Sequence, residues 1–168
     1  MAEGTNKPWF PLFEFAEWTY SSTLVLPTDE QSIAAPGAAV TARKWAMGKL
    51  EVGQAFVAPG SRYTLDGTLS FAPGVSLDVS ASGVLGLDDE PATFEAIGVG
   101  THGITKGARY VLVGWAFPDL PIQNNGGRVQ TVLGSVRAVR GPNAAPGREL
   151  GQMPLGTVGS FVITRTQP

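Results

Sequence analysis

The chain has 168 residues, 43% of them hydrophobic and 15% charged, with a formal net charge of −2 and no cysteine. Its length suits one domain over residues 1–168, large enough to bury a core without covalent staples. The missing cysteine excludes disulfides, thiolate catalysis and cysteine-ligated metals, and the scattered Lys and Arg exclude the concentrated basic patch that nucleic acid requires.

Charge well below the usual quarter of residues, with 22 Gly and 13 Pro, fits many short strands joined by tight turns. No stretch approaches the roughly 20 apolar residues that cross a bilayer. The opening residues lack the basic start and apolar run of a secretory signal. The expected compartment is therefore the cytoplasm, with no membrane partner.

Residues 1–8 read as a loose leader. Residues 9–26, WFPLFEFAEWTYSSTLVL, are the most aromatic part of the chain. Their Phe, Trp, Tyr and Thr density favours a strand over the helical spacing that is also present. Alternation puts Phe13, Phe15 and Glu17 on one face and Glu14, Trp18 and Tyr20 on the other. A proline-bounded connection at 27–37 leads to strands predicted at 38–47 and 49–57, divided near Gly48. Residues 63–71 set Tyr63, Leu65, Leu69 and Phe71 against Thr64, Asp66, Thr68 and Ser70. The turn Ala72-Pro73-Gly74 follows, proline presetting φ before a permissive glycine. Residues 75–82 repeat the alternation, with Val75, Leu77 and Val79 opposite Ser76, Asp78 and Ser80. Both strands read as half-buried.

After an acidic loop at 88–91, residues 92–119 read as strand, glycine-studded connection, strand. The NNGG at 124–127 is suited to a turn with φ > 0. A long strand at 128–140, a loop at 141–147 and a strand at 157–165 complete the chain. Eight or nine strands at spacings of about 10 to 15 residues imply an all-β fold, an antiparallel barrel or a β-sandwich. Residues 108–117 and 157–163 are apolar on both faces. That favours the barrel, one face lining the lumen and the other meeting a helix or a second copy. A homo-oligomer is expected.

The loop at 98–107, GVGTHGITKG, has the glycines of a phosphate-binding loop. The segment after it is β-patterned, so the helix N-terminus that such a loop needs is missing. A long hairpin connection is the preferred reading. Within it, His102 is the sole histidine, either an exposed loop residue or a general acid–base group. One histidine and no cysteine leave no metal-ligand spacing and no cofactor motif.

Four positions carry both a plain and a chemical reading. Glu17, beside Phe13 and Phe15, either faces water or sits among rings with a raised pKa, able to move a proton near neutrality. Glu95, between Phe94 and Ala96, poses the same choice. Arg137, mid-strand between Val136 and Ala138, either pairs with Glu17 or Glu95 or holds a ligand carboxylate or enolate. Tyr110 either packs in the core or hydrogen-bonds a carbonyl inside an aromatic-lined lumen. Phe13, Phe15, Phe94, Trp115 and Phe117 are the candidate substrate contacts, although Tyr110 alternates to the face opposite Trp115 and Phe117.

The sequence Gly100-Thr101, Gly103-Ile104, Gly107-Ala108-Arg109-Tyr110 resembles the glycine-rich signature of the allene oxide cyclase and dirigent barrels. His102 interrupts the family's Gly-Thr-Gly, and the glycine expected after Arg109 is absent. The resemblance implies an eight-stranded, usually oligomeric barrel whose apolar lumen folds a reactive small molecule into a cyclised or coupled product. No functional residue carries over from so short a match. The leading expectation is a cofactor-independent isomerase or cyclase holding an apolar substrate in the lumen, with Glu17, Tyr110 or Arg137 polarising a carbonyl. A non-catalytic carrier of a hydrophobic ligand and a structural, oligomer-forming subunit are the alternatives.

Overall fold

The computed structural model describes residues 17–27, 40–86, 90–121, 128–141 and 158–166. The leader at 1–8, Phe13, Glu14, Phe15, most of the 27–37 connection, the NNGG at 124–127 and most of the 141–147 loop lie outside them. The described residues form eight strands: β1 Glu17–Pro27, β2 Val40–Ala58, β3 Arg62–Ala72, β4 Val75–Val84, β5 Ala92–Val99, β6 Arg109–Pro121, β7 Arg128–Arg140 and β8 Val158–Thr166. Each pairs antiparallel with the next, and β8 pairs with β1 to close the cylinder. This is the barrel, not the sandwich. No helix among the described residues is long and apolar enough to cross a membrane.

Closure leaves no free edge, and strict alternation divides every strand between lumen and exterior. On β3 and β4 the lumen receives Tyr63, Leu65 and Leu69 with Leu77, Val79 and Ala81, all buried. Asp66 and Ser80 hydrogen-bond to each other on the outer wall. The turn at Pro73-Gly74 joins the two strands, with Gly74 at φ +73.

One boundary differs from the prediction. The two strands expected on either side of Gly48 are a single 19-residue strand, β2. Gly48 pairs with Tyr20, and a Cβ there would lie 2.5 Å from the Ser70 carbonyl oxygen. The glycine marks a close approach of β2 to β3 and not a break. The length of β2 is accommodated by register shifts that leave Trp45 extra against β1 and Gly53 extra against β3.

The lumen is filled across its waist by one cross-strand row. Phe94 pairs with Gly114, Gly114 with Gly134, and Gly134 with Phe161. The two phenyl rings meet at 6.1 Å between centroids, with no intervening side chain on β6 or β7. At the glycine pair the strands run so close that a Cβ on Gly114 would sit 2.0 Å from the Leu133 carbonyl oxygen. A Cβ on Gly134 would sit 2.1 Å from that of Val113. The apolar β6 is central for this reason: its inward face yields its volume to rings from β5 and β8.

Gly114→Ala and Gly134→Ala are each expected to destabilise the fold by roughly 3 kcal/mol, the upper range for one substitution. Urea denaturation followed by circular dichroism measures this. A loss below a few tenths of a kcal/mol at both positions contradicts the packing described.

Candidate functional site

The cylinder has an upper end, where β3, β5 and β7 finish and where the Pro73-Gly74 turn and the 100–108 connection lie. That connection is the hairpin loop the sequence suggests. It contains one turn of 3-10 helix, Gly103–Thr105, before β6 starts, and it places Gly103 at φ +60 and Gly107 at φ +89. It offers no following α-helix to hold a phosphate.

Below the upper end the barrel is packed. Two small apolar voids among the described residues, of about 10 Å³ each, hold roughly one water's worth of space apiece. Phe94 lies between them as a filler of the lumen. The expected arrangement, an apolar substrate lying along the axis, finds no room at this depth.

The upper end is built differently. Register shifts leave one residue extra on β2, Trp45, and one on β3, Phe71. A bulge re-aims a side chain, which brings Trp45 inward beside Ala46, while Phe71 keeps the inward parity of Leu69; both rings pack against the core. Trp45 reaches the diametrically opposite wall, its ring centroid 6.1 Å from that of Tyr110 on β6. Phe71 meets Tyr20 edge to face at 6.0 Å, and Tyr20 stacks on Phe161 at 6.3 Å. Inward glycines make the space: a Cβ on Gly159 would lie 3.0 Å from the Trp45 ring, and one on Gly48 would lie 3.0 Å from Phe71. Trp45, Phe71 and Tyr110 are only half-buried, so among the described residues this aromatic cup is a partly exposed part of the lumen.

Three hydroxyls serve the cup. Ser22, 1% exposed, sits on the lumen face of β1 between Ala46 and Phe161. Its Oγ is buried, and the polar group it meets is the Tyr20 phenol, in a looser geometry than the other hydrogen bonds of the barrel. Tyr20, two residues earlier on the same face, has its phenol pushed up to about 12 by burial; the nearby Ser22 hydroxyl opposes the rise and Tyr110 adds to it. Burial raises Tyr110 as well. Both phenols therefore stay protonated at neutral pH and act as hydrogen-bond donors, not as bases. An acceptor oxygen entering the cup would meet neutral O–H donors in an aromatic surround.

The predicted site residues do not converge. Tyr110 faces the lumen, as its parity suggests. Glu17 does not: Trp18 and Tyr20 take the inward positions of β1, and Glu17 lies outside, 56% exposed and 2.8 Å from Lys49 Nζ. Glu95 and Arg137 are exposed on the outer wall, on faces that alternate away from Phe94 and Val136, and neither glutamate pairs with Arg137. Trp115, 53% exposed, and Phe117 also face outward. Of the candidate substrate contacts among the described residues, Phe94 alone is in the lumen; Phe13 and Phe15 lie outside the described residues. Sequence reasoning missed Ser22 and Trp45. Ser22 carried a usable signal, since it shares parity with Trp18 and Tyr20. Trp45 carried none, because its direction depends on a bulge.

Among the described residues no three His, Asp or Glu side chains come together as a metal site would require. No protein-family model, curated protein or solved structure matches the chain.

Two outcomes are expected. Glu17→Gln leaves both the denaturation midpoint and any ligand affinity unchanged, since an exposed ion pair contributes little. The phenols make stability fall at high pH. An unfolded tyrosine ionises near 10 and folded Tyr20 near about 12, so the stabilisation is complete below pH 10 and is lost as pH rises towards about 12. Absorbance in the tyrosinate band should stay low in the native protein at pH 10 while the denatured chain is about half ionised. Coincident native and denatured titrations contradict the assignment.

Proposed function

We propose that this barrel is a cofactor-independent isomerase or cyclase for an apolar small molecule. The substrate enters the aromatic cup and presents a carbonyl oxygen to Tyr20, Ser22 and Tyr110. The observation that carries this reading is the grouping of three hydroxyls, Tyr20, Ser22 and Tyr110, on the inner wall beside the rings of Trp45, Phe71 and Phe161. A carbonyl oxygen docked among them would accept from donors held in an apolar surround, where a hydrogen bond counts for more than in water. The two protonated phenols favour a neutral acceptor that gains negative charge during reaction, as a carbonyl does on becoming an enolate. Curvature of the cup, set by Trp45 and Phe71, would hold the reacting carbons in a near-attack arrangement. Entry requires the Trp45 ring to swing from Tyr110, a motion that its bulged, half-exposed position permits. The glycine-loop resemblance to allene oxide cyclase and dirigent barrels supports the same class of chemistry, and the cytoplasm is the compartment we assign to it.

A structural role has its own supporting observation, an apolar strip on the outer wall. Trp115 pairs with Leu133 and Leu133 with Val162, and these three are flanked by exposed Val113 and Val158. The occupant we assign to this strip is a second copy of the chain. A two-fold axis along β6 sets Trp115 and Val113 against their own copies. It also brings Glu95 of each protomer over β7 of the other, one residue pair from Arg137. Burial of such a strip removes a row of exposed apolar groups from water.

Native mass spectrometry of the protein as isolated from producing cells, followed by titration with an apolar ketone and its hydrocarbon analogue, tests the first reading. The ketone should bind saturably and more tightly than the hydrocarbon. Ser22→Ala and Tyr110→Phe should each erase about tenfold of that preference, equal to about 1.4 kcal/mol. Saturable binding without turnover makes the protein a carrier. Absence of both a retained molecule and ketone binding, in protein with native circular dichroism, rejects the cup as a site. For the second reading, sedimentation should show a dimer that Trp115→Lys converts to monomer; a monomeric parent chain rejects it.

A further inference from the structure

The loop that carries His102 folds down on the outside of β4 and forms a directional chain of hydrogen bonds there. Thr101 Oγ1 donates to Asp78 Oδ2 at 2.7 Å. A hydroxyl has one proton to give, so the 3.0 Å contact between Thr101 Oγ1 and His102 Nδ1 requires Nδ1 to be the donor. In the neutral ring Nε2 then holds the lone pair. That lone pair faces Ser76 Oγ at 3.3 Å. The order Asp78, Thr101, His102, Ser76 fixes one imidazole tautomer and aims its basic nitrogen at a serine hydroxyl, the relation that activates serine nucleophiles. A separation of 3.3 Å is within the looser geometry of an unliganded site.

The loop is held in place by bonds that do not involve the relay's reactive atoms. Thr105 Oγ1 donates to the Ser76 carbonyl at 2.7 Å. Gly100 N–H donates to the Ala108 carbonyl at 2.9 Å, and Gly107 N–H donates to the Gly100 carbonyl at 2.8 Å. Gly100 itself is buried, and a Cβ there would strike the Thr105 carbonyl oxygen. His102 is therefore presented by a braced turn and not by a free loop. Ser76 is half-buried and His102 exposed, so the pair is open to a small solute. Because Leu77 and Val79 alternate into the lumen, Ser76 and Asp78 lie on the outer wall, separate from the aromatic cup.

We propose that Ser76 is an acyl-accepting nucleophile with His102 as its general base, a second site that acts on small, soluble, activated esters. In the step, Ser76 Oγ bonds to the ester carbonyl carbon and its proton passes to His102 Nε2. The tetrahedral oxyanion collapses, the bond to the leaving oxygen breaks with its electron pair, and that oxygen takes the proton from Nε2. The products are O-acyl-Ser76 and the free alcohol or phenol. Thr101 and Asp78 are positioning residues that hold the tautomer.

The full chain is incubated with p-nitrophenyl acetate, with p-nitrophenol release followed by absorbance and the acetyl group located by peptide mass mapping. The expected result is one acetyl group on Ser76 and a burst of p-nitrophenol. Ser76→Ala should abolish the burst, and His102→Gln should slow it at least tenfold. Thr101→Val should slow it with restoration by Thr101→Ser, which keeps the hydroxyl; a merely structural threonine would not show that rescue. All three substituted positions lie outside the lumen, and circular dichroism verifies that each variant folds. Acetylation confined to lysines or the N-terminus, or an unchanged rate in His102→Gln, overturns the proposal. These outcomes are independent of ketone binding in the lumen.

Discussion

Contact between Phe94 and Phe161 over a pair of glycines is the constraint on which the rest of the barrel depends. Eight closed strands enclose a cylinder just wide enough for side chains to fill, and here the filling comes from only some strands. β6 and β7 give up their side chains at the waist, at Gly114 and Gly134, so that rings anchored on β5 and β8 can meet. The burial of those rings holds four consecutive strands to one register. A slip by one residue would put both glycines on the outer wall and drive two side chains into the waist. Packing at the centre thus makes the fold unique, and it also confines any ligand chemistry to the ends.

What separates the upper end from the waist is bulge placement. At the waist, regular pairing sends one side chain per pair inward, and the space closes. Near the upper rim, β2 and β3 each carry an extra residue, and the extra residues are the aromatics Trp45 and Phe71. A bulged residue has no partner directly opposite it in the ladder, so its side chain occupies space that regular pairing would not fill. Hydroxyls on the opposite walls, at Tyr20 and Ser22 on β1 and Tyr110 on β6, are fixed by regular pairing. The upper lumen therefore combines extra aromatic volume on β2 and β3 with hydroxyls on the walls across from it.

Strand existence and barrel closure were legible because they follow from period-two alternation and turn residues, both local properties. Burial on β3 and β4 could be read residue by residue for the same reason. Glu17 went to the wrong face because alternation fixes parity without saying which parity is inward. Phe13 and Phe15 outweighed Trp18 and Tyr20 in the sequence, whereas the structure buries the latter pair. Gly48 looked like a break because a glycine weakens a strand; its actual cause, the Ser70 carbonyl 2.5 Å from where a Cβ would be, lies on another strand. Arg137 looked buried because its sequence neighbours Val136 and Ala138 are buried, yet nearest neighbours on a strand face the opposite way. Trp45 was illegible for a deeper reason, since a bulge is a property of the pairing and not of either strand alone.

The distribution of hydroxyls leads to a last step. On the outer wall Ser80, Thr101 and Thr105 all find acceptors within the chain. In the lumen Tyr63 does so too, donating to the Thr93 carbonyl at 2.6 Å, which shows that a buried phenol in this barrel can be satisfied internally. Ser22 lies directly opposite Phe161 in the β1–β8 pairing, and its polar neighbour is the Tyr20 phenol on the same face of β1. The two hydroxyls therefore form a small polar pair in a largely apolar lumen, with Tyr110 as a further hydroxyl on the far wall, whereas the waist below them is closed by the Phe94 and Phe161 rings. Polarity in this barrel is thus placed by the same alternation that places its core: among the described residues, hydroxyls enter the lumen on the inward parity of β1, β3 and β6, at Tyr20, Ser22, Tyr63 and Tyr110.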